Sequence, residues 1–92
     1  TVMKSVEAIG AIFDDANMSH ANAEFAKLNG AQLNNTNLSN AKLGGADLSG
    51  ATVDGLNLTN ADIDATKLVQ LKGKSGIVGL EQTRNTSRAI SD

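Results

Sequence analysis

Residues 11–70 read AIFDD, ANMSH, ANAEF, AKLNG, AQLNN, TNLSN, AKLGG, ADLSG, ATVDG, LNLTN, ADIDA and TKLVQ, twelve five-residue lines without an insertion. The first position is Ala in nine of the twelve, with Thr36, Leu56 and Thr66 as the exceptions. The third is a large apolar residue in eleven: Phe13, Met18, Leu28, Leu33, Leu38, Leu43, Leu48, Val53, Leu58, Ile63 and Leu68. Ala23 stands there in the remaining line.

A helix cannot use this pattern. At about 100° per residue the two apolar positions of a line fall on opposite sides of the cylinder, and successive lines drift without forming a stripe. In an extended chain, residues two apart share a face. Each line is therefore expected to be a very short strand with its first and third residues inward and its second outward. The fourth and fifth positions turn the chain. The fifth is Gly or Asn in seven lines, and both types tolerate the positive φ of a tight bend. A short strand and a bend repeated in register predict a solenoid, with the eleven large residues as its structural core.

The line A-(D/N)-L-x-x, seen in ADLSG, ANMSH and ADIDA, resembles the pentapeptide-repeat proteins, over 60 of 92 residues. The resemblance implies an all-β fold, a right-handed quadrilateral β-helix with four lines per coil, hence about three coils. Side chains twenty residues apart then stack. The small first position is expected to line a cramped inner corner, and Leu56 to cause a local bulge or fill a gap beside Met18.

The flanks are expected to be short caps, because an open solenoid end exposes apolar side chains and strand edges. In residues 1–10, TVMKSVEAIG, Val2, Val6 and Ile9 share a helical face and Gly10 is a helix stop. A short helical cap is expected, with an irregular strand, Val6 and Ala8 inward, as the alternative. After Gln70 the five-residue register fails, and residues 71–92 are expected to form a cap or tail, partly flexible, with a short helix over 80–90. Ile77, Val78 and Leu80 are the apolar group available to cover the last coil. They do so within the chain or by pairing two chains end to end in a homodimer, which the family resemblance favours.

Composition excludes several functions. There is no cysteine, so no disulfide and no thiolate metal site. No run is long and apolar enough to span a membrane, and no signal segment is visible. Thr1 leaves open whether the chain is part of a larger protein, and nothing names a compartment; the cytoplasm is the default expectation. Residues 11–70 carry seven carboxylates against three lysines, while residues 71–92 carry four cations against Glu81 and Asp92. Acidic coils lack the basic footprint that nucleic-acid binding needs.

No catalytic constellation appears, so neither an enzyme nor a cofactor is expected. His20 stands alone at an outward fifth position. Asp62 and Asp64 lie two apart on one line, as repeat composition dictates, and fall short of the six or more oxygens calcium takes. The stretch GGAD at 44–47 has the glycine-rich look of calcium-binding nonapeptide solenoids, but the period here is five and the pattern does not recur. The Asn-x-Ser/Thr triplets at Asn17, Asn34, Asn37, Asn57 and Asn85 carry little information in a chain this rich in those residues.

One residue departs from the pattern. Phe25 occupies a fifth, outward position, with Glu24, Asp62 and Asp64 beside it and Gly45 and Ala65 one and two coils on. It is a candidate landing place for a protein partner, since aromatics anchor interfaces; the plainer expectation folds it over the coil edge to compensate for Ala23. The leading functional expectation is a non-enzymatic structural or protein-interaction module. The family resemblance supplies an alternative: some members look like duplex DNA in shape and charge, bind type II topoisomerases such as DNA gyrase, and protect them from quinolones.

Overall fold

In the computed structural model, which describes residues 2–91, the second residue of each line up to Thr52 forms a parallel bridge to the residue twenty positions later. The bridges run from Val2↔Asn22 through Ile12↔Gln32 and Asn37↔Asn57 to Thr52↔Lys72. Four lines therefore complete one circuit, and the circuits stack. Two bonds repeat at every bridge. The third N–H donates to the second carbonyl one circuit on, as Met18 does to Asn37 at 2.7 Å. The second N–H donates to the first carbonyl one circuit back, as Asn37 does to Ala16 at 2.9 Å.

The bends have one construction. The first N–H of a line donates to the third carbonyl of the line before it, as Ala26 does to Ala23 at 3.1 Å. Between them the fifth residue has positive φ, from 54° at Gln70 to 77° at Gly55. The Asp or Asn at the second position holds the bend open to the same geometry. Asn37 Oδ1 accepts from the Ser39 N–H at 3.0 Å and from Ser39 Oγ at 2.7 Å. Asn57 and Asp47 repeat this with Thr59 and Ser49. A side chain that accepts from the backbone two residues on supplies a bend without distant partners.

Inside, Leu33, Leu38, Leu43, Leu48, Val53 and Leu58 are fully buried, Leu28, Ile63, Leu68 and Met18 nearly so, and Phe13 is half-buried. The first-position alanines from Ala21 to Ala61 have no exposed surface. Thr36 and Thr66 keep that position by donating their buried hydroxyls to the carbonyls of Phe13 at 2.7 Å and Leu43 at 2.6 Å. Leu56 is fully buried too, and its bend bond to Val53, at 3.0 Å, matches its neighbours, so it fills space without a bulge.

Neither flank forms the expected helix. In place of a helix, residues 2–10 make two further lines, bridged at Val2↔Asn22 and Glu7↔Lys27, with Met3 inward and Ala8 packed on the core. Ten residues make a marginal helix, while a free strand edge offers a partner for each backbone group. Val6 remains partly exposed.

At the other end, residues 71–91 continue the circuit with six-residue lines. Leu71, Ile77, Thr83 and Ala89 take the first position, and bridges fall at Asn57↔Val78 and Asp62↔Arg84. Strand β1 (Lys67–Leu68) pairs in parallel with β2 (Ile90–Ser91). The extra residue of each line is absorbed by a 3-10 turn at Lys74–Gly76, Leu80–Gln82 and Thr86–Arg88, each entered from a residue with positive φ. Gly79 must be glycine: with φ 77°, a Cβ there would lie 2.8 Å from the Thr59 Cα. No α-helix occurs among the described residues, including the span 80–90. Of the presumed covering group, Ile77 and Leu80 pack on the core, whereas Val78 points outward and is 51% exposed.

Candidate functional site

The bend at Glu24–Phe25 stacks on those at Gly44–Gly45 and Asp64–Ala65. The Phe25 N–H donates to the Gly44 carbonyl at 2.9 Å, and the Gly45 N–H to the Asp64 carbonyl at 2.8 Å. Phe25 takes φ 62°, a conformation bulky residues seldom adopt. That conformation lays its ring across the next circuit: a Cβ on Gly45 would stand 2.6 Å from two ring carbons. The ring therefore occupies a notch that only glycine leaves open, while 58% of the residue stays exposed.

Charged groups frame this ring. Glu24 is half-buried on the same bend. Asp64 Oδ1 is 3.1 Å from Arg88 Nε, a pairing the sequence reading missed because the last residues read as a tail. A six-residue line beginning at Thr83 would have placed Arg88 beneath Asp64. Asp62 sits one bend-bond away, its Oδ1 accepting from the Asp64 N–H at 3.1 Å. The Asn85 side chain holds the Asp62 carboxyl below its ordinary range; burial opposes this, and the Asp64 N–H, Arg84 and Lys42 reinforce it. Glu24, Phe25 and Asp64 thus share one corner with Arg88, and Asp62 stands on the adjoining side.

The outward second positions form columns, and on two sides the columns alternate in sign. Glu7, Lys27, Asp47 and Lys67 follow one another, as do Lys42, Asp62 and Arg84. Lys27 Nζ lies 3.7 Å from Glu7 Oε1. At Asp47 burial pushes the carboxyl up, but hydrogen bonds from Ser49 and Asn29 and the Lys67 charge outweigh it and hold it below its ordinary value. The other two sides present Ile12, Gln32 and Thr52, and Asn17, Asn37 and Asn57. His20 is an exposed bend residue with φ 61°. Among the described residues no cluster of His, Asp and Glu is placed to hold a metal, and no helix is long and apolar enough to cross a membrane.

Comparison with known proteins agrees with the repeat geometry. The family profile described as Pentapeptide repeats matches residues 4–40 and 31–70, with eight copies. Among solved structures, the chain is similar to a pentapeptide repeat protein of the Arabidopsis thaliana thylakoid lumen, at 26% identity and a TM-score of 0.52, over 99% of this chain and 60% of that one. It is also similar to a pentapeptide repeat protein of the cyanobacterium Cyanothece, at 26% identity and a TM-score of 0.42, over 95% of this chain and 65% of that one. QnrB1, a plasmid-mediated fluoroquinolone resistance protein, aligns at 17% identity and a TM-score of 0.46, over 78% of this chain and 37% of that one. The chain thus spans less than two thirds of the length of these relatives. No curated protein matches the sequence. The five-residue ladder and the profile match together place this chain in the pentapeptide-repeat family.

Proposed function

We propose that this chain, coiled right-handed as the family resemblance implies, is a non-enzymatic interaction module that binds a protein partner at the Phe25 corner. One observation carries the reading. An aromatic ring stands exposed over a glycine notch, on a residue of unusual backbone conformation, with Glu24 and the Asp64–Arg88 pair beside it. A large ring that loses little freedom on binding is what interface anchors share. A photo-crosslinking residue replacing Phe25 tests this, with one replacing Thr52 on a neutral side as control. Adducts to one protein from position 25 and none from 52 are expected; identical patterns from the two positions overturn it.

The alternative, a DNA mimic that binds gyrase, requires an acidic stripe. Alternating columns of carboxylates and cations cancel along two sides, and the other two are nearly uncharged in their second positions. That arrangement supports the interaction module over the mimic. Inhibition of gyrase supercoiling by the purified chain would reverse this preference.

A further inference from the structure

We propose that the two ends of this solenoid stack head to tail, the N-terminal edge of one copy continuing the ladder of the last circuit of another. Every inner circuit offers the next its third and fifth N–H groups and first C=O, and the one before its second N–H and its second and fourth C=O. The groups left over at the two ends are therefore complementary. At the N-terminal edge, the N–H groups of Glu7, Ile12 and Asn17 and their carbonyls have no partner among the described residues. At the C-terminal edge the same is true of the carbonyls of Leu71, Ile77 and Thr83 and the N–H groups of Gly73 and Gly79. At the bridge positions, donors on one edge face acceptors on the other in the order the ladder uses internally, while the bend N–H groups of Gly76 and Gln82 stay on the Gly73 and Gly79 carbonyls. Five-residue and six-residue circuits already stack within the chain, at Asn57↔Val78 and Asp62↔Arg84, through the other edge of the last circuit.

Three further observations select this pairing. Exposed large apolar residues on the outer surface concentrate at the ends: Val2, Val6, Ile9 and Ile12 on the first circuit, Val78 and Ile90 on the last, with Phe25 alone between them. The C-terminal end is an open concavity of about 200 Å³ lined by Ile63, Leu68, Leu71, Ile77, Leu80 and Ala89. It meets apolar Met3, Ala8 and half-buried Phe13 at the opposite end. The ends also differ in charge. Residues 2–20 carry Lys4 against Glu7, Asp14 and Asp15, while residues 71–91 carry Lys72, Lys74, Arg84 and Arg88 against Glu81. Two C-terminal ends placed face to face would repel, whereas opposite ends attract. A contact between unlike surfaces does not close on itself, so copies add into open rods.

Sedimentation of the 92-residue chain over a wide concentration range tests this. The average mass should climb continuously with concentration and fall with added salt, which screens the opposed ends. Ala8→Arg obstructs the N-terminal end and Thr86→Arg the C-terminal one. Each variant alone should be a monomer, and their equimolar mixture a one-to-one dimer and nothing larger, since only one pair of free unlike ends remains. Ile12→Arg and Ile90→Arg, at exposed outward positions, serve if either first variant loses its circular dichroism signature. An Ala8→Arg protein that stays dimeric means two-fold pairing of C-terminal ends and overturns the proposal. So does a wild-type chain that remains monomeric at every concentration, or a mixture that does. None of these outcomes bears on the Phe25 corner, which lies on the side of the solenoid.

Discussion

At the scale of the residue, the inner first position shows how size and polarity are settled together. Ala fits because the corner is closed on every side, and Thr fits only because its hydroxyl finds a carbonyl one circuit back. Thr36→Val keeps the shape and removes the donor to the Phe13 carbonyl, which retains its bond from Ala16 at 3.0 Å. The expected cost is about 1 kcal/mol, the net worth of a typical hydrogen bond, read as a lower midpoint in urea with an unchanged slope. Phe25 obeys another logic. Its backbone conformation suits Asn better than Phe, so Phe25→Asn should leave stability within about 0.5 kcal/mol of the parent or above it. A ring at a position where Asn is the easier residue fits a binding role.

At the scale of the element, a line of five has no stability of its own. Each inner line makes three backbone bonds upward and three downward, and only the circuits above and below satisfy them. The last circuit is therefore a structural layer, because Val53, Gly55, Leu58 and Asn60 donate to Lys72, Gly76, Val78 and Gln82. Truncation after Gln70 removes those acceptors and uncovers Leu68 and Ile63. The fragment is expected to aggregate or melt well below the parent in thermal scans followed by circular dichroism. A fragment as stable and soluble as the parent would show that the six-residue lines contribute nothing to the stack.

At the scale of the whole molecule, two hydrogen-bonded carboxylates in the outer columns make stability depend on pH in one direction. Asp47 and Asp62 have depressed carboxyl values in the folded chain, so the unfolded chain binds protons more readily below its ordinary value of 3.8. Their contribution is fully present above that value and disappears as pH falls through the lower folded ones. The melting temperature should be level between about pH 7 and 5 and drop below about pH 4. The Asp47→Asn, Asp62→Asn double variant should show a shallower acid limb. An identical acid limb in the variant would assign the loss to other carboxylates.

The sequence alone determined the repeat, its period, and which side of each line faces inward, because a five-residue apolar pattern has one local solution that puts its first and third residues on a common face. It also singled out Phe25, since a bulky residue among Gly and Asn is visible as a letter. The ends were decided by tertiary structure. Val2, Val6 and Ile9 lie at helical spacing, yet the open edge at Asn22 and Lys27 draws residues 2–10 into the ladder. Beyond Gln70 the letters stop repeating at five, and only the backbone of the previous circuit, approached too closely at Gly79 for any Cβ, turns a tail into lines of six. The Arg88–Asp64 pair belongs to the same class. It joins residues 24 positions apart, across a side whose bridge, Asp62↔Arg84, already spans 22 because two lines of six lie between. Local chemistry sets the line; the stacking of one circuit on another decides how far the pattern extends and which charges meet.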